Sequence, residues 1–323
     1  MEALQLRRCF LILASLMMLF VQVSVADDAS SSFTPADMIL TPHSFSMASL
    51  LNNGIPEEGA YALPIDFSSG KVPLEEGYVS DLEYIDPSIH VVISSGREMD
   101  CNYWVAEIWI SDPSQLRTVA ADGFESNMVM PGVKLADRVN AVVACDGDYY
   151  CYTGYGYIIR QGTLYLDKLK GGRDLLLIDE AGDFHIIRKA ERQDGVDTID
   201  GKRIINSLFF GPVLVEHGEL GNEFRYRDMA YADPSQRMCI AQVGHLHYKI
   251  ICCESPKAGR GSAGMTLKQF AEFVQGMGVD TAYNLDGGDS TMLIFRGEKL
   301  NDVSNPNTRN IADIIYFASA YDK

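Results

Sequence analysis

Several features are scarce or missing in this sequence, and each absence removes a class of protein. Basic residues are outnumbered, with 27 Lys and Arg against 44 Asp and Glu and a net charge of −17. A field of that sign repels phosphate backbones and anionic lipid at long range, so a nucleic-acid-binding or membrane-surface role is disfavoured. A small phosphate held by one or two local arginines is still allowed. Cysteines number seven and no two form a Cys-x-x-Cys pair, so nothing marks a structural zinc site. No Gly-x-Ser-x-Gly elbow or His-Glu-x-x-His run occurs, leaving serine-hydrolase and zinc-protease readings without support. Gly259 to Thr266 has Walker-like glycine spacing, but Met265 stands where the phosphate-binding lysine belongs, and the stretch reads as a loop feeding a helix. Beyond the first 26 residues no apolar run is long enough to span a bilayer.

What is present begins with an address label. Arg7 and Arg8 precede an apolar run from Cys9 to Val25, and Ser24-Val25-Ala26 puts small residues at the −3 and −1 positions of a cleavage site. This is the layout of a secretory signal cut after Ala26, which predicts a secreted or cell-envelope protein with no stable membrane span after cleavage. A retained signal-anchor helix is the alternative reading. Two arginines and one glutamate leave with the signal, so the net charge deepens to −18. Six cysteines then remain, with pairing left open between buried thiols and one or two bridges. Cys252 and Cys253, adjacent on a predicted strand, are expected on opposite faces.

A chain of 323 residues with 47% hydrophobic side chains can bury a large core. Residues 1–26 read as signal, 27–100 as an N-terminal extension packing on the main body, and 101–323 as that body. Trp104 to Ile110 is aromatic and β-branched, stopped by Asp112-Pro113, and reads as a strand. Asn140–Ala144, Thr281–Leu285, Ser290–Phe295 and Asp313–Ala318 read likewise. Turns are expected at Arg160-Gln161-Gly162, Glu180 to Asp183, Glu216-His217-Gly218 and Arg296-Gly297-Glu298. One helix stands out: Thr266 and Gln269 make a capping box, and Leu267, Phe270, Ala271 and Val274 fall on one face. Many strands with few helices, not regularly alternating, predict an α+β fold of mixed, largely antiparallel sheets.

Chemistry concentrates in two places. Asn284-Leu285-Asp286-Gly287-Gly288-Asp289-Ser290-Thr291-Met292 sets a carboxylate, an amide and hydroxyls around paired glycines, which let a backbone approach a ligand closely. The alternative is a hairpin turn, for which Asp-Gly is a common signal. Asp146-Gly147-Asp148-Tyr149-Tyr150 follows an apolar strand with two carboxylates one residue apart, suited to a hard cation, to acid–base work, or to a solvated turn. His245 and His247 share a face if on a strand, but lack a third ligand nearby. Tyr149, Tyr150, Tyr152, Tyr155 and Tyr157 crowd one stretch and either stack on sugar rings or alternate between core and cover.

Taken in order, the strand with Asp146-Gly147-Asp148-Tyr149-Tyr150, Phe210-Gly211-Pro212-Val213-Leu214-Val215, Gln236-Arg237-Met238-Cys239-Ile240-Ala241, Gly264-Met265-Thr266-Leu267, Asn284-Leu285-Asp286-Gly287-Gly288 with Ser290-Thr291-Met292, and Arg309-Asn310-Ile311-Ala312-Asp313 resemble the phosphodiester glycosidases. The resemblance covers roughly residues 100 to 320. It implies that family's fold and hydrolysis of the bond between a sugar's anomeric carbon and a phosphodiester, the substrate being a carbohydrate or sugar phosphate and no cofactor being required. In that setting Asp286 is the expected base or electrostatic stabiliser and Asp148 its partner. Arg237 and Arg309 are the expected phosphate clamp, and Asn284, Gly287, Gly288, Ser290 and Thr291 the expected substrate contacts. Two departures stand out: Asp289 replaces the family's usual third glycine, and Asp146 its usual asparagine. Each adds a negative charge, which either raises a neighbouring carboxyl's pKa or creates a Ca²⁺ site. The competing readings are a non-catalytic carbohydrate-binding envelope protein of the same fold and a calcium-stabilised module built on Asp146, Asp148, Asp286 and Asp289.

Overall fold

Short polar turns between apolar runs produce the hairpins that the sequence predicts. Gln161–Gly162 joins Gly156–Arg160 to Thr163–Lys168, His217–Gly218 joins Val213–Glu216 to Glu219–Leu220, and Arg296–Gly297 joins Leu293–Phe295 to Glu298–Lys299. Both central residues of each turn have positive φ, the geometry whose twist matches that of the flanking strands. The computed structural model describes residues 54–323 apart from 171, 192–193, 223, 225–230, 255–260 and 304–308. The signal expected at 1–26 and the first part of the extension therefore lie outside the described residues.

The strands assemble into sheets whose neighbours pair antiparallel. A nine-stranded sheet runs, in order, Tyr78–Ser80, Glu83–Asp86, Ile89–Glu98, Cys101–Ile110, His247–Cys253, Arg237–Gly244, Thr281–Asn284, Val213–Glu216 and Glu219–Leu220. A five-stranded sheet runs Glu298–Lys299, Leu293–Phe295, Ala141–Asp146, Asp313–Ala318 and Leu116–Ala120. A four-stranded sheet, Phe184–Ile187, Leu175–Asp179, Lys202–Leu208 and Thr198–Ile199, and the Gly156–Arg160 hairpin complete the set. This is the predicted α+β, largely antiparallel class, with α-helices only at Gly132–Arg138, Tyr150–Thr153 and Leu267–Gln275 among the described residues.

Side-chain alternation explains the layering. Met238, Ile240, Ile250 and Cys252 point into a core shared with Val143, Leu293, Ile315 and Phe317 of the five-stranded sheet and Leu176 and Leu208 of the four-stranded one. Cys239, Ala241, Ile251 and Cys253 point the other way, onto Leu267, Phe270, Ala271 and Val274 of the amphipathic helix. Cys252 and Cys253 thus face opposite sides, as expected, and all six cysteines beyond the signal are free thiols. The helix begins as predicted: the Gln269 amide donates to Thr266 Oγ1 at 3.2 Å and the Thr266 amide to Gln269 Oε1 at 3.0 Å. The helix Gly132–Arg138 covers the outer face of the five-stranded sheet through Leu135 and Ala136.

The segment before residue 101 does more than pack on the body. Residues 78–98 supply three strands at one edge of the large sheet. Upstream of them, the chain is pinned by Arg117, whose side chain is fully buried. Its guanidinium donates to the carbonyls of Pro64 (2.9 Å), Asp66 (2.8 Å) and Ser68 (3.0 Å), and to Tyr316 Oη at 3.2 Å. Removing it empties a fully buried site and cuts the bonds that tie this exposed segment to the body. Arg117→Ala is therefore expected to destabilise the protein by about 3 kcal/mol, since each bond to a charged group contributes roughly 1.5–3 kcal/mol before compensation. Urea unfolding of the two proteins measures it, and a loss under about 0.5 kcal/mol would contradict the anchoring role.

Candidate active site

The Asn284 to Met292 stretch is not a hairpin. Thr281–Asn284 belongs to the nine-stranded sheet and Leu293–Phe295 to the five-stranded one, so residues 285–292 carry the chain from one sheet to the other. The crossing is tied at both ends to the Ala141–Asp146 strand: the Asp286 amide donates to the Gly147 carbonyl at 3.3 Å, and the Met292 amide to Asp146 Oδ1 at 2.8 Å. Only small backbone fits here. A Cβ on Gly287 would meet the Gln236 carbonyl at 3.1 Å, and Gly288 has φ +62° in a single 3₁₀ turn, Gly288–Ser290.

A cavity of about 450 Å³ opens beside this crossing. Its wall includes Asp286, Gly287 and Gly288 from the crossing, Asn284 from the strand that enters it, Arg237 from the neighbouring strand with Ser235 just ahead of it, and Arg309 from the segment before the last strand. Tyr149, Phe210 and Arg173 also line it. Tyr149 stacks on Tyr152 (4.5 Å between centroids, 23°), and the Arg309 guanidinium lies 5.7 Å from the Tyr149 ring and 5.6 Å from that of Tyr152. Arg237 is held by the Met265 and Asp233 carbonyls at 3.2 and 2.9 Å, and Arg173 by the Phe210 carbonyl at 2.9 Å. Three guanidinium groups and one carboxyl therefore line a single cavity in a strongly acidic protein.

Burial governs the carboxyls. Asp286 is pushed up to about 6, by desolvation first; hydrogen bonds from Ser290 and Gly287 and the charge of Arg309 oppose the shift, and Asp148 adds to it. Behind the cavity wall lies a second carboxyl group of interest, Asp313, raised to about 7 by its full burial despite the opposing charge of Arg160. Arg160 is itself fully buried, 3.3 Å from Asp313 and 3.7 Å from Asp148, and packs against the rings of Phe124 and Tyr150 at 5.3 and 5.7 Å. Asp146 is held well above the usual carboxylate range by burial and then by the charge of Asp286.

The structure brings together Asp286, Arg237, Arg309, Asn284, Gly287 and Gly288, but several expected roles change. Asp148 does not line the cavity. Its carboxylate turns inward to accept the amides of Tyr149 at 2.8 Å and Phe209 at 2.7 Å, with Arg160 alongside, so it positions the aromatic walls. The Gly287 and Gly288 amides are not offered to a ligand either: the first donates to Asp286 Oδ1 at 2.9 Å and the second to the Gln236 carbonyl at 3.2 Å. Ser290 backs Asp286 through its side chain, and Thr291 is fully buried, its carbonyl accepting from Asn301 at 3.0 Å. Neither lines the cavity. Asn284 donates to the Gly211 carbonyl at 2.8 Å, while its buried Oδ1 has no partner.

The calcium reading meets a different geometry. Asp146 is tucked under the crossing and Asp289 accepts from Gln236 at 3.3 Å, and among the described residues no three His, Cys, Asp or Glu side chains gather to hold a metal ion. His245 and His247 face separate carboxylates, Glu58 at 3.3 Å and Glu107 at 2.9 Å. The tyrosine run divides: Tyr150 and Tyr157 are core, Tyr149 lines the cavity and Tyr152 is exposed. Sequence reasoning missed Arg173, Phe210 and Ser235 as wall residues, and Arg160 and Asp313 as the support behind them. Phe210 and Asp313 stand inside motifs that carry the family resemblance; Arg173 has no such signal.

Comparison with known proteins bears on the family and the fold. The phosphodiester glycosidase family profile matches residues 139–318. The catalytic domain of zebrafish N-acetylglucosamine-1-phosphodiester alpha-N-acetylglucosaminidase, auto-inhibited by its pro-peptide, superposes with a TM-score of 0.55 at 18% identity, covering 78% of this chain and 87% of that one. At that identity the likeness is one of fold. A hypothetical protein from Synechocystis reaches a TM-score of 0.49 at 14% identity, covering 72% of this chain and 62% of that one. No curated protein matches the chain significantly.

The carboxyl pKa values carry a stability signature. Asp286 and Asp313, at about 6 and about 7 in the folded protein against 3.8 ordinarily, bind protons more tightly folded than unfolded. Their contribution is complete below about pH 4 and is lost as pH rises through 6 to 7. The melting temperature is therefore expected to fall by more than about 3 °C between about pH 5 and 7.5, a change of roughly 1 kcal/mol or more for a domain of this size. Calorimetry across that range checks it, and a rise over the same interval would contradict the assignment.

Proposed function

The chain belongs to the phosphodiester glycosidase family, and from that premise we propose that it is an exported hydrolase cleaving a sugar-1-phosphodiester bond in a glycan or envelope polymer. The observation that carries the reading is the lining of one cavity: a carboxyl at about 6 facing three guanidinium groups and aromatic rings. A volume of about 450 Å³ suits a sugar ring with its phosphate. Guanidinium forks match phosphate oxygens, and in a chain of net charge −17 such recognition has to be local. Tyr149 and Phe210 offer flat apolar faces for the C–H side of a pyranose. Export rests on the leader at residues 1–26.

In this reading Asp286 is the general base. Above about pH 6 it is ionised and takes a proton from the water that attacks the anomeric carbon as the C1–O bond breaks. The departing group is a phosphate monoester, which leaves readily and needs little protonation. Its growing negative charge is met by the arginines, which are already oriented and require no reorganisation. The positive charge developing on the sugar ring is stabilised by the Asp286 carboxylate until it accepts the proton. No step as drawn calls for a cofactor.

Release of free sugar from a sugar-1-phosphodiester is the direct test. Asp286→Asn should lower kcat by about 100-fold or more, the usual contribution of a general base, with the fold retained by circular dichroism. For the wild-type enzyme, kcat/KM should rise with pH through about 6 as Asp286 loses its proton. Turnover of Asp286→Asn close to that of the wild type would remove Asp286 from the reaction. An inactive wild-type protein that still binds the diester would favour a carbohydrate-binding role.

A further inference from the structure

We propose that Asp146 is a positioning residue that seats the Asp286 crossing only while its own carboxyl carries a proton. The proposal deepens the proposed function, because it concerns the same site, and rests on that reading for the identity of Asp286 as the working group. Asp146 ends the Ala141–Asp146 strand and is 1% exposed. One carboxyl oxygen accepts the Met292 amide at 2.8 Å, while the other, equally buried, has no hydrogen-bond partner. Since the Asp286 amide hangs on the Gly147 carbonyl, consecutive residues of one strand end hold both ends of the loop that presents Asp286.

The groups around Asp146 favour the neutral acid. Asp286 faces it from the crossing and Asp313 from the adjacent Asp313–Ala318 strand, both of them carboxyls. Cys145 on its own strand and Cys252 on the His247–Cys253 strand are buried thiols that contribute no positive charge. The nearby cation, Arg160, is engaged by Asp313 and Asp148 at 3.3 and 3.7 Å. An ionised carboxylate here would be a buried charge beside like charges with one oxygen unmet, which an interior does not tolerate. A protonated one keeps the Met292 contact through its carbonyl oxygen, and its unpartnered O–H costs far less to bury than an unpaired charge. Burial, reinforced by the charge of Asp286, accordingly holds the Asp146 pKa well above the ordinary range. Asp146 thus supplies the backbone contact an amide side chain would supply, with a proton that can be lost. When ionised, the carboxylate is the better acceptor for the Met292 amide, but an unpaired charge cannot stay buried, so the crossing opens to let water reach it and the Met292 amide is exposed with it.

The sign follows from proton affinity: the folded state holds this proton more tightly, so the stabilisation is complete below about pH 4 and is lost as pH rises. Asp146→Asn keeps the acceptor and cannot ionise. Its melting temperature should match the wild type at about pH 5, and fall less steeply with pH, leaving it more stable by about 3 °C or more at about pH 8.5. Wild-type hydrogen exchange gives an independent readout. At the Met292 amide, corrected for intrinsic rate, protection should drop by about tenfold or more between those pH values, while the Leu293 amide, bonded to Asn301 at 2.7 Å, keeps its own. Parallel melting curves for the two proteins, or unchanged Met292 protection, would overturn the proposal. Neither readout needs turnover, so an inactive enzyme would count against the proposed function and leave this test intact.

Discussion

The guanidinium of Arg160 is the one charge on which the arrangement around the cavity hangs. It is fully buried against two aromatic rings, and its carboxylate neighbours come from different elements: Asp148 from the loop after one strand, Asp313 from the start of another. Asp313 also accepts the Asp148 backbone amide at 3.0 Å, so it fixes the backbone that carries Asp148 as well as engaging the arginine. From that fixed point Asp148 sets the amides of Tyr149 and Phe209, and with them the aromatic walls of the cavity. A buried charge with several partners is costly to form and costly to break, which suits a part that must not move.

The distribution of charge follows the same logic. The acidity of the chain is partly a surface property, but Asp146, Asp148, Asp286 and Asp313 sit behind or beside the cavity, and the burial of three of them raises their proton affinity. On the other side of the wall the lining is cationic, with Arg173, Arg237 and Arg309. A carboxyl poised near 6 beside arginines is useful because it can change its charge while its neighbours cannot. The family departures at Asp146 and Asp289 fall on different sides of this arrangement. Asp289 is a partly exposed residue bonded to Gln236, whereas Asp146 lies beneath the crossing and shares in its electrostatics.

Much of the fold was legible from local patterns. The positive-φ turns, the Thr266 capping box and the alternation that separates Cys252 from Cys253 depend on a few adjacent residues and physical rules of short range. The same holds for the importance of Asn284 to Met292, since paired glycines among Asn, Asp and Ser exceed what a turn requires. What was not legible was direction. Asp148 and Asp286 look alike in sequence, each a carboxylate beside glycine after an apolar strand, and one faces the cavity while the other is drawn inward by an arginine twelve residues away in sequence. The glycine amides looked free for a ligand but are taken by Asp286 and by Gln236 across the sheet. Arg173 had no motif to mark it, because its place in the wall depends on the packing of Phe210 and on a different sheet.

The amino-acid sequence by itself determined the class of the fold, the places where chains turn and the residue types gathered at the site, because hydrophobic period, capping and turn chemistry act between near neighbours. Tertiary structure alone decided which of those residues face the cavity, which hold the others in place, and which carboxyls keep their protons. Those outcomes depend on burial and on charges brought together from strands far apart in the chain, and neither exists until the sheets have packed.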